Sequence, residues 1–567
     1  MEISNNNYFH IRKFYKKREG YNQLDKREDL YYKLENVIDL ISTLQQRRGE
    51  TQIMELNVQA PGGPGYERQL TRSFLESLGN FIFELKGYLK YNPSQKLENA
   101  ISRLEEFQKI YEESINKHPY LLPDLNTVYG KTIVDYAKNI GAKKIFVLVV
   151  DPSLLSPQEE TTAIFQSIQE VAQQEGIIVE ATDLENLLSQ PRYEEIRNYL
   201  LGTTNKQPSD MLVWRDFTLE EVWEFLRKNY SSIEPTDFIN RLISIPTINP
   251  YEIANTGGRN WPKILGVKSG DLVPIIIPGE EILINSHIPD ENNVKELRVE
   301  EGGTIIIITR DDKTFEIPLY HGKEKLNLNN YVLKIEGTFG GKGVLVNSEE
   351  IARFILWESK KLEKSGETQV RYVLEKKVKL PITIQPLLIT PLRINDPRYE
   401  FKLSKRGYLG IFNVDLRILL SIHKHNGERK VSIVGIFCRF NYPDRPSNVS
   451  SGGGILPLIV LPQTQIEEFY KKTFELFEML QEININIENR KISALERLYE
   501  ILTEELRKAG FTVYGKNILF GVIPYVVSEE KIEETIKKLQ VLAEKIQDYN
   551  SKDIPFYVGF DLALSPF

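Results

Sequence analysis

The chain has 567 residues, and its 72 lysines and arginines against 79 aspartates and glutamates give a net charge of −7. At about 150 residues per domain this length predicts three to four folded units, and the mildly acidic total gives no reason to expect nucleic acid as a partner. The one cysteine, Cys438, excludes an intrachain disulfide and a cysteine-rich zinc site, and it favours a reducing, cytoplasmic location.

No apolar run in the sequence approaches the roughly 20 residues that span a bilayer. The longest runs, at 305–308 and 455–461, are far shorter, and residues 1–20 contain no continuous apolar segment. The sequence therefore predicts neither a membrane span nor a cleavable signal, and no membrane partner is expected.

Residues 1–125 are predicted to be a helical region with one short strand. Residues 53–58 alternate between apolar and polar side chains as a strand does, and the breaker APGGPG follows at 60–65. Two further helices are predicted over 75–91 and 97–115. Ahead of the strand, helical spacing predicts another helix from Leu30, Leu34, Val37, Ile38, Ile41 and Leu44.

Residues 126–235 have a strand–helix–strand rhythm. Strands are predicted at 145–150, 177–180 and 211–214, with helices between them. Units of this length usually build a parallel sheet. We interpret the region as a Rossmann-like α/β domain, but it lacks the G-x-G-x-x-G fingerprint, so dinucleotide binding is not predicted.

Residues 236–460 are predicted to be rich in strands, which are separated by turn clusters such as DDK at 311–313. Residues 461–567 return to helices and end in a predicted strand over 556–562. The sequence contains no internal repeat.

The sharpest local motif is YVLKIEGTFGGKGV at 331–344. A strand carries Lys334, a carboxylate follows at Glu336, and a glycine-rich turn leads into another strand. Glycines let backbone N–H groups approach anionic oxygens, a fixed lysine neutralises phosphate charge, and a nearby carboxylate can hold Mg²⁺. The motif indicates a nucleotide-phosphate site, and a glycine-rich hairpin with a surface lysine is the alternative.

Two other polar groupings lie on predicted strands. Glu55 and Asn57 point to one strand face, where a carboxylate and an amide oxygen suit Mg²⁺, although such a triplet is also typical of a solvated face. Asp415 and Arg417 also share a face, where they could pair or grip a charged ligand. Arg439 and the segment SNVSSGGG at 447–454 could offer donors to an anion, with a structural ion pair and a surface loop as alternatives.

The order of these motifs resembles the circularly permuted branch of the ATP-grasp superfamily, which includes eukaryotic-type glutathione synthetase and glutathionylspermidine synthetase-like proteins. The order is E-x-N, P-G-G, an α/β domain, K-x-E-G-x-x-G-G-K-G, D-L-R and N-x-S-S-G-G-G, and the likeness covers about residues 50–460. It implies a multidomain α/β and α+β fold with helical flanks, in which 236–460 form a two-subdomain ATP-grasp cleft with a glycine-loop lid.

The resemblance also implies a reaction. ATP- and Mg²⁺-dependent enzymes of this kind join a carboxylate to an amine through an acyl phosphate. The expected partners are a small-molecule or peptide carboxylate and an amine, and the oligomeric state is not predicted. Two alternatives stay open: a non-catalytic ATP-grasp-like protein that binds a nucleotide or peptide, and phosphotransfer to an acceptor that is not a carboxylate.

Site residues follow from the resemblance motif by motif. Arg417 and Arg439 are expected to stabilise charge on the transferring phosphoryl group, and Lys263, with Lys268 as its competitor, is the candidate for a second ATP lysine. Gln385 falls where the adenine hinge is expected. The remaining expected ATP contacts are Lys334, Gly340, Gly341, Lys342, Gly343 and Asn448, and the expected metal ligands are Glu55, Asn57, Glu336 and Asp561.

Asp561 enters this set because of a departure from the family pattern. Relatives carry an aspartate on the strand before E-x-N, but residues 41–52 contain none. The terminal segment FYVGFDL resembles the missing strand, so it is predicted to pair beside 52–58 and to supply Asp561. A polar residue at a strand end is the alternative.

Overall fold

The structure is a computed structural model, and it describes residues 31–32, 41–42, 44–45, 51–58, 61–157, 159–254, 261–267, 272–292, 294–335, 343–359, 371–386, 409–425, 428–441, 453–487, 490–510, 519–550 and 553–567. The chain is a mixed α/β protein with several separate sheets, as the predicted fold class requires at this coarse level.

The helices follow one another along the whole described chain. They are α1 (Pro64–Tyr91), α2 (Gln95–Lys117), α3 (Thr132–Asn139), α4 (Glu160–Gln174), α5 (Leu184–Ser189), α6 (Glu194–Leu200), α7 (Leu219–Asn229), α8 (Pro235–Ser244), α9 (Tyr251–Ala254), α10 (Trp261–Ile264), α11 (Ser348–Arg353), α12 (Ile466–Glu482), α13 (Ala494–Lys508) and α14 (Glu529–Gln547). Within the described residues, none of these helices combines the length and the apolar character needed to cross a bilayer.

The strands are short except for one long hairpin about three quarters of the way along the sequence. They are β1 (Tyr31–Tyr32), β2 (Gln52–Asn57), β3 (Lys144–Val149), β4 (Ile178–Asp183), β5 (Met211–Asp216), β6 (Thr247–Ile248), β7 (Ile276–Pro278), β8 (Ile282–Ile284), β9 (Val294–Val299), β10 (Ile305–Arg310), β11 (Lys313–His321), β12 (Glu324–Lys325), β13 (Tyr331–Ile335), β14 (Val344–Leu345), β15 (Tyr372–Lys376), β16 (Ile382–Pro386), β17 (Leu409–His425), β18 (Glu428–Asn441), β19 (Gly454–Ile455), β20 (Leu458–Leu461), β21 (Asn484–Ile487), β22 (Arg490–Ser493), β23 (Leu519–Phe520), β24 (Tyr525–Ser528) and β25 (Phe556–Ala563).

The central sheet gathers strands from distant parts of the sequence. Its order is β2-β25-β17-β18-β19-β23, and β1 and β16 also pair with β17. The long antiparallel hairpin of β17 and β18 forms its middle, and the terminal strand β25 is inserted between β17 and β2. This sheet carries most of the polar residues that the sequence analysis selected.

The parallel sheet (β4-β3-β5-β6) contains the strands of the predicted Rossmann-like region. Both β4 and β5 pair in parallel with β3, so the parallel pairing predicted from the strand–helix–strand rhythm is confirmed. Apolar runs such as IFVLV fill β3 because helices cover both faces of such a sheet. The α7 helix begins with a capping box in which Thr218 and Glu221 bond to each other's backbone N–H groups.

Two further sheets are antiparallel and are interleaved along the chain. The lysine sheet (β14-β13-β15-β7) holds the strand of Lys334, and the strands of the outer sheet (β12-β11-β10-β9, with β8 on β11) lie between β7 and β13 in sequence. Isoleucines and leucines of both sheets, including Ile308, Ile317 and Leu333, pack into one core.

The sequence analysis misjudged several elements. Tyr31 and Tyr32 form a strand bridge with Leu409 and Gly410, within a stretch where the spacing of Leu30 and Leu34 predicts a helix. The region after residue 461, predicted to be helical up to its last strand, also contains β24 between α13 and α14, which pairs in parallel with β20. Short apolar runs such as YVV do not distinguish a buried strand from a buried helical segment.

Candidate functional site

The E-x-N motif lies on β2, at one edge of the central sheet. The strand β2 pairs antiparallel with β25, and this confirms the pairing that the sequence predicts. Glu55 lies directly opposite Asp561 and Asn57 lies opposite Gly559, so the polar side chains share one face of the sheet. The amide of Asn57 donates to Asp561 at 3.4 Å, across 504 residues of sequence.

Arg417 on β17 and Arg439 on β18 both form ion pairs with the carboxylate of Asp561. Arg417 Nε donates to Oδ1 at 2.6 Å and Arg417 Nη2 donates to Oδ2 at 2.9 Å, which is a two-pronged ion pair. Arg439 Nη2 donates to the same Oδ2 at 2.9 Å. Arg439 also holds Asp415 in a two-pronged pair, with distances of 2.7 and 2.9 Å. These four residues form one buried charge network, in which Asp415 and Arg417 pair with other partners rather than with each other.

The charge network sets the pKa values of its members. Burial by itself raises the pKa of Asp561, but Arg417 and Arg439 outweigh burial and hold this pKa well below its ordinary value. Burial raises the pKa of Asp415 to about 6 against the attraction of Arg439, and the charge of Asp561 adds to the rise. Burial would lower the pKa of Arg439, but both aspartates raise it above its ordinary value.

The PGGPG segment (residues 61–65) crosses the same face of the central sheet. The Gly62 carbonyl accepts a hydrogen bond from Arg417 Nη1 at 3.3 Å. Gly63 has a φ of +136°, and a Cβ there would lie 2.9 Å from Cδ1 of Phe437 on β18. The segment needs glycine at this position because both its backbone angle and its close approach to β18 exclude a side chain.

Lys334 connects the lysine sheet to the central sheet. Its ammonium donates to the carbonyl oxygen of Met54 on β2 at 2.8 Å and to Oε2 of Glu375 on β15 at 2.6 Å. Lys334 lies opposite Val373 in the β13–β15 ladder, which makes Glu375 its diagonal neighbour on the same face. The lysine of the glycine motif therefore contacts the backbone of the E-x-N strand, 280 residues away.

A buried glutamate that the sequence analysis missed contacts the PGGPG segment. Glu160, the first residue of α4, accepts hydrogen bonds from Gly63 N at 2.8 Å and from Gly65 N at 2.7 Å. Burial raises its pKa to about 7 against the effect of these N–H groups, with repulsion from Asp216 and attraction from Arg417 as smaller influences. Glu160 therefore changes charge near neutral pH.

A small cavity lies between the PGGPG segment and the parallel sheet. Its lining consists of Pro61, Gly62, Tyr129, Glu160, Ile164, Trp214, Arg215, Asp216, Asn249 and Tyr557. The buried hydroxyl of Tyr129 has no hydrogen-bond partner among the described residues. Burial raises the pKa of Asp216, although the Thr161 hydroxyl donates to its carboxylate. The cavity thus presents carboxyl groups and a hydroxyl.

A sequence signal for Glu160 and Asp216 was available. Asp216 ends the parallel strand β5, and Glu160 begins the helix that follows β3. Polar side chains at the carboxyl ends of parallel strands commonly converge on a ligand. Glu375 had a weaker signal, because only the pairing of β13 with β15 brings it to Lys334.

The other predicted site residues are distributed differently. Lys263 is exposed on α10, and no contact among the described residues joins it to the charge network. The side chain of Gln385 is buried and bonds to the backbone of Val522 and Ile523. Gly343, at a φ of +72°, accepts a hydrogen bond from Ile335 N at 2.9 Å. Several predicted residues lie outside the described residues: Lys268, Glu336, Gly340, Gly341, Lys342 and Asn448.

Comparisons with known proteins add no assignment. No protein-family model, no curated protein and no solved structure matches this chain. The argument for a function therefore depends on the motifs and on the contacts that bring their residues together.

Proposed function

We propose that this chain is an ATP- and Mg²⁺-dependent ligase of the ATP-grasp type, which joins a carboxylate to an amine through an acyl phosphate. The observation that carries the proposal is the hydrogen bond from Lys334 to the carbonyl of Met54. This contact brings the lysine of a phosphate-type motif to the strand that bears two candidate oxygen ligands, Glu55 and Asn57. The proposed triphosphate cleft would lie between the lysine sheet and the central sheet.

Two oxygen-bearing side chains and two arginines on the polar face of the central sheet support binding of a magnesium-bound triphosphate, although the described residues hold no group of three or more His, Cys, Asp or Glu side chains that could bind a metal ion. Glu55 and Asn57 offer a carboxylate and an amide oxygen on one strand face, which suits a hard cation. The side chain of Arg417 keeps 18% of its surface exposed, so an anion can reach it. A metal ion bound there would draw charge from the phosphate oxygens.

The chain's own residues would contribute by position and charge. Arg417 and Arg439 are already oriented by their aspartate partners, so they would stabilise developing negative charge without reorganising. Lys334 would neutralise phosphate charge from the opposite wall. The glycine segment that ends at Gly343 would cover the phosphates and exclude water, so that the amine meets the acyl phosphate first.

The cavity beside the PGGPG segment holds about 20 Å³, room for an ammonium head group alone, and its carboxyl groups, which lie beside Arg215, support the amine half of the proposal. Glu160 and Asp216 line it beside the PGGPG segment, which also contacts Arg417. Carboxylates attract an ammonium group, and the Tyr129 hydroxyl adds a hydrogen-bonding partner. An amine bound there would lie next to the charge network.

A second candidate function is favoured by one observation. Lys334 is paired with Glu375 and Asp561 is paired with two arginines, so charges expected to serve a nucleotide are partly neutralised within the protein. A non-catalytic ATP-grasp-like protein that binds a nucleotide or peptide would tolerate such pairing.

The deciding experiment removes the lysine. We expect Lys334→Ala to lower phosphate release from ATP, measured with a panel of carboxylates and amines, at least about 100-fold, because the charged wall of the cleft is lost. Lys376→Ala is the matched control, since Lys376 is exposed on the neighbouring strand. Circular dichroism checks that both variants fold.

The outcomes separate the candidates. Full activity of Lys334→Ala would overturn the ligase proposal. A thermal shift with Mg-ATP that a chelator abolishes, without turnover of any tested substrate pair, would favour the non-catalytic protein. No shift and no turnover would overturn both.

A further inference from the structure

Asp561 accepts four hydrogen bonds, and three of them converge on one of its two oxygens. Its Oδ1 accepts from Arg417 Nε at 2.6 Å. Its Oδ2 accepts from Arg417 Nη2 at 2.9 Å, from Arg439 Nη2 at 2.9 Å and from Asn57 Nδ2 at 3.4 Å. An ionised carboxylate has about two lone-pair positions on each oxygen, so Oδ2 is fully used and Oδ1 retains one position. The side chain is only 4% exposed, so little of its surface is open to another ligand.

The charges around Asp561 also oppose a metal ion. Two guanidinium groups lie within hydrogen-bonding distance of one carboxylate, and both repel a divalent cation in a buried environment where screening is weak. A metal ion could bind Asp561 only by displacing Arg417 or Arg439. Glu55 and Asn57, on the neighbouring strand, offer oxygen atoms to a metal ion. Binding there would leave Asp561 paired with both arginines.

We propose that Asp561 is a positioning residue, which holds Arg417 and Arg439 side by side on the face of the E-x-N strand, rather than a ligand of the metal ion. This inference rests on the proposed ligase function. The strand register supports it, because Arg417 lies directly opposite Asp561 and Arg439 lies directly opposite Asp415. The last strand of the chain thereby fixes the orientation of both arginines.

The two arginines depend on Asp561 to different extents. Without Asp561, Arg439 would keep its two-pronged pair with Asp415. Among the described residues, Arg417 would keep only the Gly62 carbonyl, at 3.3 Å. Loss of the Asp561 charge is therefore expected to act mainly through Arg417.

The test separates metal binding from arginine positioning. Asp561→Asn keeps the shape of the side chain and removes its charge. We expect Mn²⁺ affinity, measured by electron paramagnetic resonance with a non-hydrolysable ATP analogue, to stay within about twofold of the wild type, while ATP turnover falls about 100-fold. Glu55→Gln is the comparison, and loss of a ligand there is expected to weaken Mn²⁺ binding about tenfold or more.

A double-variant cycle distinguishes positioning from a general structural role. If Asp561 acts through Arg417, then Arg417→Ala combined with Asp561→Asn lowers turnover no further than Arg417→Ala alone. Independent losses that multiply would overturn the inference. Should Asp561→Asn fail to fold, Asp561→Glu takes its place, because it keeps the carboxylate but its extra methylene displaces the oxygens from the two arginines. The inference expects turnover to fall while Mn²⁺ affinity stays within about twofold of the wild type, and a fall in Mn²⁺ affinity to the level of Glu55→Gln would overturn it.

The remaining outcomes distinguish failure of the inference from failure of the ligase proposal. Mn²⁺ affinity of Asp561→Asn that falls to the level of Glu55→Gln would overturn the inference and leave the ligase proposal standing. Wild-type turnover in Asp561→Asn would do the same. Wild-type protein that binds neither Mn²⁺ nor the ATP analogue would overturn the ligase proposal, and the inference with it.

Discussion

The charge network and the Glu160 cavity contain equally buried carboxyl groups with opposite behaviour. Asp561 has two guanidinium partners, and its pKa lies well below the ordinary value. Asp415 has one, and burial raises its pKa to about 6. Glu160 accepts only from backbone N–H groups, and burial raises its pKa to about 7. The number of arginines at hydrogen-bonding distance therefore decides whether a buried carboxyl group stays charged.

Under the proposed ligase function, this difference would suit the two regions to different tasks. The charge network would keep Asp561 and both arginines charged at neutral pH, as phosphoryl transfer needs. The Glu160 cavity would change its charge in the range where a bound amine must become a neutral nucleophile. The PGGPG segment touches both regions, through Gly62 in one and Gly63 in the other.

The largest loss of stability is expected from removing Arg439, whose guanidinium pairs with two carboxylates. Arg439→Ala leaves Asp415 and Asp561 buried together with one guanidinium fewer. We expect it to lower the free energy of unfolding by about 3–5 kcal/mol, which urea denaturation measures. Arg429→Ala is the control on the same strand, because its ion pair with Asp548 is exposed and contributes at most about 1 kcal/mol. Similar losses of unfolding free energy in Arg439→Ala and Arg429→Ala would show that the buried charge network contributes no more to stability than an exposed ion pair does.

A pH effect of intermediate size is expected at Glu160. Its pKa is raised from 4.5 to about 7 in the folded state, so its contribution to stability is complete below pH 4.5 and is lost as the pH rises through 7. The shift corresponds to about 3 kcal/mol between pH 5 and pH 8 or above. Glu160→Gln cannot ionise, so its stability should fall less over this range.

Urea denaturation at pH 5 and pH 8 measures this difference between wild type and Glu160→Gln. Asp216, whose pKa is also raised, titrates in both proteins, so the comparison reports Glu160 together with its repulsion from Asp216. Equal pH dependence in the two proteins would show that Glu160 is ionised throughout and that burial does not control it.

The strands and pairings that depend on local pattern or on motif order could be predicted from the sequence. Alternating residues predicted β2 and β13, and the resemblance of the terminal segment to a missing strand predicted the pairing of β25 with β2. The start of α1 was missed because Pro64 and Gly65 were interpreted as part of a breaker, although proline is favourable at the first position of a helix.

The partners of charged residues were not predictable in the same way. Alternation placed Asp415 and Arg417 on one face, but only the order of the strands in the sheet decides that each pairs across to another strand. The contact of Glu160 with Gly63 depends on how two distant segments pack. Such contacts are set by long-range topology, for which the sequence has no periodic signal.

The smallest predicted loss of stability comes from a substitution in the PGGPG segment, which contacts both the charge network and the Glu160 cavity. Gly63→Ala forces an unfavourable φ of +136° on alanine and places a Cβ 2.9 Å from Phe437, so we expect a loss of about 1–2 kcal/mol in the free energy of unfolding. Gly87→Ala is the matched control, because nothing lies within 4 Å of its added Cβ near the C-terminal end of α1, and it should stabilise by about 0.5–1 kcal/mol. If Gly63→Ala also moves the Gly63 N–H away from Glu160, it removes a group that lowers the pKa of that carboxyl. The decline in stability of Gly63→Ala should then shift to higher pH than in the wild type, whereas Gly87→Ala should keep the wild-type profile. A Gly63→Ala protein with unchanged pH dependence would show that the two regions are not coupled through this segment.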